Sequence, residues 1–269
     1  MSSWKINDLP AFCITLDRRP DRWNRFISQP GLNQLTNLKK YSGVDGKSID
    51  VRNDHRIELS TKKNILAHTR RAHEELDSVG GVGCALSHIG LWEWLVNSEH
   101  DKVLIFEDDA VIPTGFVNTA NKIITDSDVL QSNQWDLLLL GGNWANVTPI
   151  SGESFIRNIG GFYCLHAYVI TKKTAQKLLA EVYPIHCHID MWITIYKLVH
   201  GLRIVGTKAM NINQRNLKSE IQSNNGCKIC DVSTDFYKSH VLVNKYALYT
   251  AYASAGILAY LYISKLIKN

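Results

Sequence analysis

Val103-Leu-Ile-Phe-Glu-Asp-Asp109 decides how this chain is read: four apolar residues of strand character run directly into three consecutive carboxylates. Two carboxylates about 4–5 Å apart repel by roughly 3–4 kcal/mol at an effective dielectric near 20. A buried strand ending in such a cluster is costly unless something cationic sits on it, and a hard divalent ion with oxygen ligands meets that need. The position also fits, because open α/β sheets bind ligands at the carboxyl ends of their strands. The competing reading is a strand that runs out into a solvated acidic turn.

Outward from this stretch, residues 12–16 read as a strand near the N-terminus. Asp17-Arg18-Arg19-Pro20-Asp21-Arg22-Trp23 follows as a loop entering a helix, with proline early and an acid in the first turn. Residues 38–42 form a second expected strand, closed by the turn Gly43-Val44-Asp45-Gly46. Residues 60–76 are weakly helical, and Gly80-Gly81-Val82-Gly83 reads as a break before an amphipathic helix over 84–96. Beyond the acidic strand come a helix over 116–124, an apolar strand over 135–140, a mixed strand over 163–171, helices over 173–182 and 189–199, and a short strand over 202–205. Strands alternating with helices predict an α/β layer fold whose central sheet is mixed, largely parallel and flanked by helices. A Rossmann fingerprint is absent, and the glycine run lacks the Lys-Ser/Thr pair of a P-loop.

With 269 residues, 45% hydrophobic and 20% charged, the composition is that of an ordinary globular protein. No repeat or linker interrupts it, which favours one domain over residues 1–240 and a separate apolar segment over 241–269. The formal charge of +5 is spread along the chain, so no nucleic-acid partner is expected, and a mild positive field suits an anionic substrate such as a nucleotide. Residues 1–9 have no apolar signal-peptide core. A cytoplasmic chain is therefore expected, with Cys13, Cys84, Cys164, Cys187, Cys227 and Cys230 as reduced thiols. Cys227-x-x-Cys230 is a single pair and a weak zinc signal, and the sequon Asn146-Val147-Thr148 is expected to be unused. Residues 246–263 carry no charge over 18 positions, at the lower edge of a spanning helix. Their tyrosines and alanines suit equally a packed helix or one associated with a membrane interface.

Three segments stand out together: Ile14-Thr15-Leu16-Asp17-Arg18-Arg19-Pro20-Asp21-Arg22, Gly83-Cys84-Ala85-Leu86-Ser87-His88, and Phe106-Glu107-Asp108-Asp109. In that order and spacing the chain resembles the family 25 glycosyltransferases, which include lipooligosaccharide and collagen galactosyltransferases. Val44-Asp45-Gly46, Trp135-Asp136-Leu137-Leu138-Leu139 and His166-Ala167-Tyr168-Val169-Ile170 extend the likeness, which spans about residues 11–214. The resemblance implies a GT-A fold, a UDP-sugar donor, a divalent cation (manganese or magnesium), inversion at the anomeric carbon, and a glycan or protein hydroxyl as acceptor.

Glu107-Asp108-Asp109 then resembles the family's DXD motif, with Asp109 expected as metal ligand and Glu107 as a second ligand or ribose contact. The resemblance further implies donor contacts from Leu16, Arg18, Arg22, Asp108 and the helix carrying Gly83, Ser87 and His88. By chemistry, Asp45 is suited to accept from a uracil N–H or to serve as a plain turn aspartate. His88 is a donor contact or an interior histidine fixing its helix. Asp190, in His188-Ile189-Asp190-Met191, is the expected general base, or else a helix cap. His166 is placed in the acceptor pocket or in the structure of its strand. Departures at Gly81 and His188 from residues usual in the family bear on the base and the acceptor. Two rival readings remain: a phosphoryl hydrolase, which would need further ligands such as Asp17 or Asp136, and a non-catalytic carbohydrate- or protein-binding member of the fold.

Overall fold

A computed structural model describes residues 4–70, 72–210 and 212–215. The Cys227/Cys230 pair, the boundary expected at 240 and the apolar stretch 246–263 lie outside the described residues. Strand β1 (Ala11–Thr15) leads into α1 (Pro20–Ile27), where Pro20 occupies a first-turn position whose missing N–H costs nothing. Then come β2 (Leu38–Ser42), α2 (Leu59–Ala67), α3 (Val79–Asn97), β3 (Lys102–Glu107), β4 (Ala110–Val111), α4 (Phe116–Asp126) and α5 (Asp128–Gln131). The chain continues through β5 (Leu137–Leu139), the hairpin β6 (Asn143–Pro149) and β7 (Arg157–Tyr163), β8 (Ala167–Thr171), α6 (Lys172–Leu179), α7 (Ile189–His200), β9 (Ile204–Gly206) and β10 (Asn213–Gln214).

Eight strands form one sheet in the order β2-β1-β3-β8-β5-β9-β7-β6, and β10 pairs with β4. β1 is parallel to β2 and β3, and β5 is parallel to β9. β8 runs antiparallel between β3 and β5, and β7 runs antiparallel between β9 and β6. Only β8 and β7 therefore oppose the direction of the other six strands, so the sheet is mixed and largely parallel, as the strand–helix alternation predicts.

The continuous apolar run in β3 follows from burial on both faces. Val103 and Ile105 face one core with Trp92, Leu91, Tyr168 and Ile193, whereas Leu104 and Phe106 face another with Phe26, Phe116 and Ile124. β3 thus lies between two helical layers, with its acidic end at the rim.

The glycine run does not break the chain. α3 begins at Val79, capped by Ser78, whose Oγ accepts from the Gly81 N–H at 3.3 Å. Gly46 and Gly83 allow the loop after β2 to press against the helix: a Cβ on Gly83 would lie 2.5 Å from Val44 O, and one on Gly46 2.2 Å from Val79 O. Ser87 latches the same contact, accepting from Val44 N at 2.8 Å and donating to Gly83 O at 2.6 Å. α3 is long and apolar enough to cross a bilayer by length and composition, but it is mostly buried in the domain and serves as its core helix.

Elsewhere, residues 60–76 are helical only to Ala67, and the stretch 163–171 divides between the end of β7 and β8. Residues 142–160, between the strands expected over 135–140 and 163–171, are largely the β6–β7 edge hairpin. Replacing Gly46 by alanine should separate loop from helix and cost about 1–3 kcal/mol; an unchanged melting temperature would contradict this close approach.

Candidate active site

A cavity of about 630 Å³ opens at the carboxyl ends of β1 and β3 and is bounded by the N-terminus of α3, the base of the β6–β7 hairpin and residues 212–215. Its size suits a nucleotide-sized ligand. Leu16, Arg18, Arg22, Asp45, Ser87, His88, Glu107, Asp108, Asp109 and His166 all line it. Gly83 and Asp190 do not. Gly83 sits one turn inside α3, so Val79 and Gly80 bring the helix N-terminus to the cavity.

The three carboxylates have three different environments. Asp108, 8% exposed, accepts from Thr15 Oγ1 at 2.7 Å and from Arg22 Nη1 at 3.0 Å. Burial raises its pKa despite those partners. Arg22 is therefore more than surface charge, because it neutralises a buried acid.

Glu107 stands 3.2 Å from His88 Nε2. Trp92 Nε1–H donates to Tyr168 Oη at 3.0 Å, and Tyr168 gives its single hydrogen to His88 Nδ1 at 2.9 Å. This ordering assigns the His88 proton to Nε2, which donates it to Glu107. Burial opposes ionisation of Glu107, but the His88 hydrogen bond and the nearby Arg22 charge outweigh it and hold the carboxyl below its usual range.

Asp109 is the acid left over. Its Oδ2 accepts from Gln214 Nε2 at 3.1 Å, while Oδ1 is buried with no hydrogen-bond partner among the described residues. Burial first, and the neighbouring Glu107 charge second, push its pKa up to about 7. A buried carboxylate oxygen without a donor fits a divalent cation, whose charge would reverse that upward shift.

Arg18 and Asp45 pair with each other at 2.6 Å, and Asp45 also accepts from Lys47 N at 3.1 Å, capping the turn Gly46–Ser48. The Arg18 hydrogen bond lowers the Asp45 pKa, so the carboxylate stays ionised at the cavity wall. His166, 3% exposed, donates from Nε2 to Ile212 O at 3.3 Å, which leaves Nδ1 as a buried lone pair.

Asp190 is placed differently from the expected base. It lies in the first turn of α7, where its Oδ2 accepts from Cys164 N at 2.8 Å and its Oδ1 from Met191 N at 2.7 Å. Cys164, which does line the cavity, has φ 68°, a left-handed conformation costly for a residue with a Cβ. In this arrangement Asp190 holds the strained wall residue through its backbone N–H.

Asp17 and Asp136, the further ligands a hydrolase would need, are engaged elsewhere. Asp17 accepts from Lys40 and Ser42 at the surface, and Asp136 precedes β5, at the opposite end of the sheet, bound to Thr174 and Arg203 N. Sequence reasoning missed Cys84, Cys164, Gln214 and Arg215 as cavity residues. Only Cys84 carried a signal, one helical turn before His88.

The model of the family described as "Glycosyltransferase family 25 (LPS biosynthesis protein)" matches residues 8–193, which contain the acidic strand end, α1 and α3. The chain belongs to glycosyltransferase family 25. Its relatives include a glycosyltransferase 25 family member of Anopheles gambiae, 27% identical over 180 residues, with 66% of this chain and 29% of that protein covered. The human inactive glycosyltransferase 25 family member 3 is 28% identical over 185 residues, covering 66% of this chain and 29% of that protein. Human procollagen galactosyltransferase 2 is 26% identical over 174 residues, covering 62% and 27%. This family 25 chain thus spans less than a third of the length of these relatives.

The Asp109 environment fixes a pH dependence. In the unfolded chain this carboxyl loses its proton near pH 4; in the folded protein it keeps it to about pH 7. Between those values the folded state binds the extra proton, so the Asp109 contribution to stability is fully present below about pH 4 and lost as pH rises through about 7. In metal-free protein, Asp109→Asn should therefore melt above the wild type at pH 8, with the gap closing towards pH 4. A gap independent of pH would contradict this environment.

Proposed function

We propose that this protein is a metal-dependent, inverting glycosyltransferase that moves a hexose, galactose or glucose, from a UDP-sugar to a hydroxyl of a glycan or protein acceptor. The observation that carries the reading is Asp109, a buried carboxylate oxygen with no hydrogen-bond partner among the described residues, at a strand end in a nucleotide-sized cavity. Family membership and the relative named procollagen galactosyltransferase 2 support it.

Asp109, with Glu107 beside it, is the seat for manganese or magnesium, and the bound cation supplies Lewis-acid stabilisation of the leaving diphosphate. Asp45, held ionised by Arg18, is placed to accept from the uracil N–H. The N-terminus of α3 presents backbone N–H groups and a positive dipole end to the cavity, which favours phosphate oxygens. Leu16 packs on the donor from the end of β1, and His166 offers its Nδ1 lone pair to a sugar or acceptor hydroxyl. Asp108 and Arg22 act beneath this surface, holding the acidic turn in place.

A second reading, a non-catalytic carbohydrate- or protein-binding protein, has one observation in its favour: both Asp190 oxygens accept from backbone N–H groups, and Asp190 does not line the cavity. Relatives named as inactive accord with it. Incubation with manganese and a panel of UDP-sugars, with and without glycan and protein acceptors, separates the two. The transferase reading predicts UDP release that depends on manganese and rises with acceptor, and Asp109→Ala should abolish manganese-dependent donor binding. Donor binding without UDP release would favour the second reading, and neither binding nor release would overturn the transferase reading.

A further inference from the structure

Cys84, His88 and Glu107 form a cluster that the donor site does not use as such. One ligand atom from each, a thiol sulfur, a ring nitrogen and a carboxylate oxygen, lies within 4.8 Å of the other two. Cys84 and His88 are four residues apart on α3, so they project from one face of the helix towards the end of β3. The separation of His88 Nε2 from Glu107 Oε1 is 3.2 Å. Two ligands bound at 2.0–2.1 Å on one tetrahedral zinc stand about 3.3 Å apart.

We propose that Cys84, His88 and Glu107 bind a zinc-class divalent cation, at a site distinct from the oxygen-ligand seat at Asp109. The ligand set is the basis for that class: a thiolate and an imidazole select borderline-soft ions such as zinc or cobalt, whereas manganese and magnesium prefer carboxylates and water. An outer-shell partner stands beside the ring. When Nε2 takes the cation, the ring adopts its other tautomer, the Tyr168 hydroxyl hydrogen turns away from Nδ1, and Tyr168 Oη accepts from Nδ1–H as it already does from Trp92 Nε1–H. A hydrogen bond of this kind orients a ligating imidazole. Cys84 releases its thiol proton to solvent on binding. All three residues line the cavity, so the fourth position on the cation is open to whatever occupies it. Because Glu107 is shared with the donor-metal seat, zinc and manganese would compete for the cavity.

The test is a cobalt titration of the metal-free full chain in a Cys227→Ser/Cys230→Ser background, which removes the only CxxC pair. A thiolate-to-cobalt charge-transfer band should appear, persist in Cys164→Ser, vanish in Cys84→Ser and bleach when zinc is added. No band in the background protein, or an unchanged band in Cys84→Ser, would overturn the proposal. Should Cys84→Ser fail to fold, alkylation mapped by mass spectrometry on the background protein decides: zinc should protect Cys84 and leave Cys164 unaffected, and equal labelling with and without zinc overturns the site. Neither measurement involves donor sugar. UDP release without the band would thus overturn this site alone, and the band without UDP release would overturn the transferase reading alone.

Discussion

Three carboxylates on consecutive residues at the end of a buried strand cannot all be charged and unpaired, and the surroundings of β3 answer that constraint. Asp108 is neutralised by Arg22 from α1 and hydrogen-bonded by Thr15 from β1. Glu107 is met by His88 from α3. Breaking a buried pair by removing one partner typically costs 3–5 kcal/mol, so these contacts tie the positions of β1, α1 and α3 to the end of β3. Of the three acids, Asp109 keeps a buried oxygen with no hydrogen-bond partner among the described residues. The fold thus meets one acid with a cation and one with a neutral hydrogen-bond donor, and leaves the third for a ligand.

The second element of order is the chain of hydrogen bonds from Trp92 through Tyr168 and His88 to Glu107. Its members come from α3, β8 and β3, and Trp92, Tyr168 and His88 are buried. A polar network inside a core rigidifies it only when every member is satisfied, and here each donor has one acceptor. The antiparallel insertion of β8 makes this possible. Its register sets Tyr168 opposite Ile105 and brings His166, the residue just before the strand, to accept from Glu107 N through its backbone carbonyl at 2.9 Å. β8 and the residue that leads into it thereby supply both the support behind Glu107 and a histidine that lines the cavity.

Much of this was legible in the sequence, for identifiable reasons. The apolar run ending in Glu107-Asp108-Asp109 fixed the central strand and the position of the site, because burial on both faces leaves a continuous hydrophobic signal and acids end it. The alternation of strands and helices predicted the layers. The glycines at 80–83 were misleading, because local propensity treats glycine as a breaker while here loop and helix meet too closely for a Cβ. Asp190 as base followed from the family resemblance around His188-Ile189-Asp190, but the partner that takes its Oδ2 is Cys164 N, 26 residues earlier. The tie of Asp109 to Gln214 spans 105 residues, and no local pattern announces it.

The central claim is that the carboxyl end of β3 is the seat of a cation bound together with a nucleoside diphosphate. The most direct measurement is a crystal structure of the protein with UDP and manganese, with diffraction recorded at the manganese absorption edge. The account predicts a single anomalous peak in the cavity, coordinated by Asp109 and by diphosphate oxygens. UDP bound elsewhere, or a cavity with nucleotide but no anomalous peak at Asp109, would contradict it.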